Sequence, residues 1–384
     1  MNKEEIIKLS LEADELTRLF RHNLHRIPEL AMEENKTASY IREVLDSYSI
    51  PYSCVKTGTI VDIINNEDSL FIAFRADIDA LQIDEPNTLE FASEHKGFMH
   101  ACGHDCHAAM LLATAIILWK NKDKLSKNIR LIFQPAEEAL GGANMLIDAG
   151  CLNNVKEIYC LHMVSKLDVG RFMTKEGIIH ASSDGFIIRI YGKAAHGASP
   201  QNGIDAIVIA SNIILSLQTL ISRETSSYDS AVLTIGKIQG GKARNIVCDE
   251  VTMDGTLRTL SSTLREKLIK RIDELCQSIA KSYNGFAKLE IVQSYYPCYN
   301  DSKKTKKAIS ILKELYGEDT VVLKEKPSMG GEDFGSYERL IPGCKLYLGT
   351  GCLGDIHTSS FCVNEDTLHY GVGFFLAVAY STFN

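Results

Sequence analysis

The chain has 384 residues, 45% of them hydrophobic, 23% charged and 8% aromatic, with a formal net charge of −8. This is globular composition, and it excludes a collagen-like, low-complexity or wholly disordered chain. No basic block interleaves with aromatics, so no nucleic acid partner is expected. At roughly 100–200 residues per domain, two domains are expected. The longest apolar run, 108–119, falls short of the roughly 20 residues that a bilayer span takes. The N-terminus, Met1-Asn-Lys-Glu-Glu-Ile-Ile, has no apolar signal core, so a cytoplasmic protein without a membrane partner is expected. The eleven cysteines form no regular framework and are expected to be reduced.

In chain order, 3–26 carries helical spacing, with Ile6, Leu9, Leu16, Leu19, Phe20 and Leu24 set among charges. A second amphipathic helix is predicted over 37–48. The run 69–75 reads as a buried strand leading to Asp77 and Asp79. A helix is predicted over 108–119, a strand over 128–134 stopped by Pro135, a helix over 142–149 and a strand over 155–161. Strands alternating with helices predict a largely parallel sheet covered on both faces. After about residue 180 the pattern changes. Strands at 184–191, 230–237, 247–258 and 287–294 and helices at 205–221 and 262–283 follow the order β-α-β-β-α-β, the ferredoxin-like unit. The first pattern then resumes with a helix near 304–316, a strand at 344–348 and a C-terminal helix after Asn364. The fold class is therefore α/β: a mixed, largely parallel sheet flanked by helices (1–181 and 295–384), with an inserted ferredoxin-like α+β domain (182–294).

The densest chemical signal is Met99-His-Ala-Cys-Gly-His-Asp-Cys-His107. In an extended segment His100, Cys102 and His104 project to one side, and thiolate and neutral imidazole suit zinc and similar divalent ions. A lone His or Cys is ordinarily structural, and even this cluster has a plainer reading as a hydrogen-bonded turn capping the helix at 108. Other donors strengthen the metal reading. Glu137 and Glu138 follow one predicted strand, His162 follows another, and His357 follows the late strand. In open α/β sheets ligands gather beyond the carboxyl ends of the strands. Two divalent ions about 3.5–4 Å apart can polarise a water and a carbonyl, and one carboxylate must then serve as general base. Adjacent glutamates can supply one ligand and one base; the spacing leaves open which does which.

The chain resembles the aminoacylase and hippurate-hydrolase branch of the co-catalytic metallopeptidases, which includes auxin-conjugate amidohydrolases and N-acetyldiaminopimelate deacetylases. The resemblance runs through His25-Arg-Ile-Pro-Glu-Leu30, Arg75-Ala-Asp-Ile-Asp-Ala-Leu81, His100-Ala-Cys-Gly-His-Asp105, Gln134-Pro-Ala-Glu-Glu138, His196-Gly-Ala-Ser-Pro200, Met329-Gly-Gly-Glu-Asp-Phe334 and His357. It implies a metal-dependent amidohydrolase acting on N-acyl (N-acetyl or N-aroyl) amino acids. It implies two divalent ions (Mn2+, Zn2+, Co2+ or Ni2+) held by Cys102, His104, Glu138, His162 and His357, with Glu137 as general base. It implies that the inserted domain is a lid and a homodimer surface, that His196 helps hold the substrate carbonyl, and that Asn245, Arg258 and Gly330 contact substrate. Asp77, Asp79 and Asp105 are expected to hold the ligand loops from behind rather than bind metal.

Departures from the pattern are Gln82 and Ser359 where Pro is common, no Trp-Pro after His162, and His180. They touch no proposed ligand and bear on substrate identity. Three other readings compete. A dipeptidase or carboxypeptidase would use the same centre. A thiol hydrolase would use Cys102 as nucleophile. A binding protein with a decayed centre would hold metal without turnover.

Overall fold

The computed structural model describes residues 1–66, 69–86, 88–139 and 141–380. The chain divides into two compact units. The first comprises Met1–Ile179, Tyr299–Lys326 and Ser336–Asn384, and the second His180–Cys298 and Pro327–Gly335.

The first unit is built on an eight-stranded sheet. In chain order its strands are β1 (Tyr52–Val55), β2 (Gly58–Ile63), β3 (Phe71–Asp77), β4 (Asn128–Gln134), β5 (Val155–Val164), β6 (Phe172–Thr174), β7 (Val321–Leu323) and β8 (Gly343–Gly349). The spatial order is β1-β2-β4-β3-β5-β8-β6-β7. The central pairs β4–β3, β3–β5 and β5–β8 are parallel, as is β6–β7, whereas β1–β2, β2–β4 and β8–β6 are antiparallel. Every residue of β3, β4 and β8 is buried, which is why these strands read as continuous runs rather than alternations. The helices His104–Lys120 and Leu368–Tyr380 are apolar all round because they pack against each other inside the same core. The helix expected over 3–26 is two helices, Lys3–Glu12 and Asp14–Arg26, divided at Ala13 with ψ −1°. Asp14 and Glu15 thereby enter a first turn, where acidic side chains favour the helix dipole. The β1–β2 hairpin turns at Lys56-Thr57 with Lys56 at φ 53°. It lacks the Asn-Gly type of signal from which such a turn is readable.

The second unit is a four-stranded antiparallel sheet in the order Phe286–Tyr295, Ser183–Tyr191, Glu250–Thr259, Ala231–Gly240. The helices Ala206–Thr219 and Ser262–Ser282 pack on it, completing the ferredoxin-like arrangement. Ser183–Tyr191 alternates in burial along its length, and Phe186, Ile188 and Ile190 join Ile209, Ile213, Leu268 and Ile272 in one core. Asp205 and Ser261 cap the two helices by accepting backbone N–H bonds. The Arg265 guanidinium grips the fully buried Asp184 at 2.7 and 2.8 Å. Among the described residues one helical segment, Ala206–Glu224, is long and apolar enough to cross a membrane. It turns Ile209, Ala210, Ile213 and Leu217 into this core.

Candidate metal centre

The donors of the first unit converge from the ends of neighbouring strands. β3 ends at Asp77, and Asp79 lies two residues further on. The segment expected to be extended through His104 is not extended throughout: Gly103 at φ 86° breaks it, and His104 is the first residue of the long helix. The left-handed conformation needed there suits glycine, and a Cβ at 103 would also come within 2.8 Å of Met163. The turn separates Cys102 from His104 but keeps both facing one site. His162 lies inside β5 rather than after it, because the strand continues to Val164 and pairs His162 with Tyr347 of β8. After β4, Pro135 and a left-handed Ala136 (φ 56°) lead into Glu137 and Glu138. His357 is also left-handed, at φ 61°, and its N–H is anchored on the Ala101 carbonyl at 2.9 Å.

Among the groups whose donor atoms lie within 4.8 Å of one another are Cys102, His104 and His162; Cys102, Glu138 and His357; and His104, Glu137 and Glu138. Cys102 Sγ stands 3.5 Å from His162 Nε2. Glu138 Oε1 lies 3.2 Å from His357 Nε2 and 3.8 Å from His104 Nε2. Hydrogen bonds on the far side of each ring set the tautomers. His104 Nδ1 donates to the Asp79 carbonyl at 2.9 Å, with Asp79 Oδ1 at 3.2 Å, and His162 Nδ1 donates to the Met163 carbonyl at 2.7 Å. Each Nε2 therefore presents a lone pair, as a metal ligand requires. His104 Nε2 is buried without a hydrogen-bond partner, a cost that a cation removes.

Asp79 does a second job: its Oδ2 accepts the Glu138 N–H at 2.9 Å. Asp77 accepts from Arg75 and from His107 Nδ1, each at 2.5 Å. His107 Nε2 in turn accepts the Met163 N–H at 2.8 Å. Both His107 nitrogens are thereby used, so its proximity to Asp77 and His104 makes no ligand of it. Against the cost of burial, the Arg75 guanidinium and the hydrogen bond from His107 hold the Asp77 carboxyl well below its ordinary value. Burial and the Glu138 carboxylate push the Cys102 thiol far up. A bare set of such donors favours protons, and a divalent cation reverses that preference by stabilising the thiolate. The donor set, the unpartnered nitrogen and the tautomers together fit divalent metal.

Asp105 accepts from His25 Nδ1 at 2.9 Å and Arg21 Nε at 3.1 Å, pinning the start of the long helix to Asp14–Arg26. His100, expected on the same side as Cys102, joins no donor cluster among the described residues. Its ring is buried, both nitrogens lack partners, and burial lowers its pKa to about 3. Two contributors were not predicted as site residues: Arg75, which heads a recognised motif and orients Asp77, and Glu34, whose carboxylate reaches Ala136 across 102 residues of chain.

The remaining predicted residues lie in the second unit. His196 pairs with Ile246, Gly197 N–H bonds the Asn245 carbonyl at 2.8 Å, and His196 Nδ1 accepts the Ala198 N–H at 3.1 Å. A neutral His196 thus carries its proton on Nε2. Arg258 Nη1 donates to the Met329 carbonyl at 2.8 Å, beside Gly330, whose own carbonyl accepts from His180 Nδ1 at 3.1 Å.

Comparison with known proteins agrees with this centre. The N-acetyl-L-cysteine deacetylase of Bacillus subtilis (strain 168) is 38% identical over 365 residues, covering 94% of this chain and 86% of the relative. Thermostable carboxypeptidase 2 of Saccharolobus solfataricus is 36% identical over 362 residues, 91% of either chain. The solved structure of Bacillus subtilis YXEP, a dinuclear metal-binding peptidase from the M20 family, superposes with a TM-score of 0.82 at 34% identity, covering 96% of this chain and 97% of that one. Residues 73–381 match Peptidase family M20/M25/M40, and the chain belongs to it.

Proposed function

We propose that this protein is a metal-dependent amidohydrolase that cleaves the amide bond of N-acyl amino acids. The observation that carries the reading is the convergence of buried Cys102, His104 and His162 with half-buried Glu138 and exposed His357, with a second carboxylate, Glu137, beside them. Those five residues would hold two divalent ions, which when bound would polarise the acyl carbonyl and make water nucleophilic at neutral pH. Glu138, between two imidazole nitrogens, is the ligand of the glutamate pair. Glu137 is the general base: its carboxylate takes the water proton and returns it to the departing amine nitrogen. His196, with its proton on Nε2, donates to the carbonyl oxygen as negative charge develops there. Arg258 spends one of its five N–H donors on Met329, and its fork suits the substrate carboxylate; Asn245 and Gly330 complete the substrate contacts. Similarity to the N-acetyl-L-cysteine deacetylase supports the acyl amino acid class.

The second unit serves as lid and homodimer surface in this reading. In support, Ala231–Gly240 is an edge strand that exposes Val232 and Ile238, and the helix beside it exposes Leu215. Eleven free thiols support a reducing, cytoplasmic setting. Thiolate, imidazole and carboxylate together suit Zn2+, Mn2+, Co2+ or Ni2+.

The test is amine release from a panel of N-acyl amino acids, using chelated enzyme before and after each metal is restored. Metal-restored release supports the proposal. Release unaffected by verified metal removal refutes it and favours Cys102 as nucleophile. Similarity to a carboxypeptidase favours one second reading, cleavage of dipeptides, which a dipeptide assayed against its N-acetyl analogue separates.

A further inference from the structure

We infer that Glu34 is a positioning residue that holds Glu137 and Glu138 in place through a hydrogen bond to the backbone before them; the inference rests on the roles proposed above for that pair. Glu34 is fully buried. Its Oε1 accepts the N–H of Ala136 at 2.8 Å and of Met32 at 2.9 Å, and its Oε2 accepts the Thr57 hydroxyl at 2.8 Å. Glu34 stands at the start of the helix Asn35–Ser47, yet its side chain makes no capping bond there. The carboxylate is committed to the neighbouring loop instead.

The loop needs such an anchor. Ala136 is at φ 56°, a conformation that a residue with a Cβ leaves unless its surroundings hold it. Glu137 and Glu138 follow immediately, so a change in φ at 136 swings both carboxylates together. Three clamps oppose that change. Glu34 takes the Ala136 N–H, the Gly142 N–H bonds the Ala136 carbonyl at 3.0 Å, and Asp79 takes the Glu138 N–H. The first is the bond made at the strained residue's own nitrogen, whose N–H would otherwise be buried unpaired.

The bonding pattern separates geometry from charge. In Glu34→Gln the amide oxygen can replace Oε1, and the amide nitrogen can donate to Thr57 Oγ1, which rotates to accept. Glu34→Asp keeps the charge but withdraws the acceptor by one methylene. In Glu34→Asp, Ala136→Gly the left-handed conformation costs nothing, so the loop no longer depends on the bond.

The test compares wild type, E34Q, E34D, E34A and E34D/A136G. It reads kcat and KM on the best N-acyl amino acid, and metal per chain after dialysis at fixed free Zn2+. The expected result is a kcat loss of at least tenfold in E34D and E34A, with reduced metal retention. E34Q stays within threefold of wild type in all readouts, and E34D/A136G regains at least threefold over E34D. Wild-type kcat and metal content in folded E34D would overturn the inference, as would E34Q failing like E34D or no recovery in the double variant. If E34A does not fold, the other three variants decide. If wild type releases no amine from any N-acyl amino acid, the proposed activity fails, while metal retention across the same variants still tests Glu34.

Discussion

Exchanging the two glutamates one at a time separates base from ligand. Glu137 is buried, and its carboxylate shares a donor group with His104 and Glu138. In Glu137→Gln the amide cannot take a proton, and Glu138 is already committed between the His104 and His357 imidazoles at 3.8 and 3.2 Å. Proton transfer by a positioned base is worth about 10²–10⁴ in rate. Loss of the proposed base should therefore lower kcat by about 10²–10⁴, or roughly 2.7–5.5 kcal/mol at 1.36 kcal/mol per decade. Metal content should stay at the wild-type level. Glu138→Gln puts a neutral amide between the imidazoles. Losing even an outer partner of a metal ligand costs about 10–100-fold in affinity, so E138Q should lose at least that much. Amine release gives kcat, and metal analysis after dialysis gives occupancy. Full metal loss in E137Q with normal occupancy in E138Q would refute the assignment, as would near-wild-type turnover in E137Q.

Stability should fall as pH rises from 6.5 to 9. Asp105 and Glu85 outweigh burial and raise the His25 pKa to about 9. A raised imidazole contributes fully below the unfolded value of about 6.5 and is lost through the folded one, about 3 kcal/mol in all. Urea midpoints across that range should drop in wild type and flatten in His25→Gln. Arg265→Ala leaves the buried Asp184 carboxylate without its counter-charge, holding only the Ser294 hydroxyl, and should cost about 3–5 kcal/mol in denaturant unfolding. Gly142→Ala should impair both folding and turnover, because its Cβ would fall 1.8 Å from the Pro135 carbonyl oxygen at the root of the carboxylate loop; unchanged kcat and urea midpoint would contradict this. Chelation should lower the melting temperature, since metal at a hundredfold excess over Kd stabilises by about 2.7 kcal/mol. An unchanged melting curve would show that the donors hold nothing.

Much of the architecture was legible because it is written in local pattern. Buried strands carry short apolar runs at 71–74 and 131–133, and half-exposed strands of the second unit alternate, as Ser183–Tyr191 does. Short strands such as Phe172–Thr174 and Val321–Leu323 are set by pairing with distant neighbours, so no window of sequence announces them. The proposed metal donors stand out in the sequence as residue types in a dense cluster and as ordered motifs.

Their chemical state does not. That His107 is neutral with both nitrogens engaged, and that His104 and His162 present Nε2, depends on partners brought in from other strands. The resemblance already implied Glu138 as ligand and Glu137 as base; the proximity of Glu138 to His104 and His357, which supports that proposal, depends on residues far away in the chain. The anchoring of Ala136 by Glu34 spans 102 residues. Sequence by itself determined which side chains can ligate metal or move a proton, because those are properties of residue type. Tertiary structure decided which nitrogen faces the site and which carboxylate is held, because hydrogen bonds over long loops close only when the whole sheet has formed.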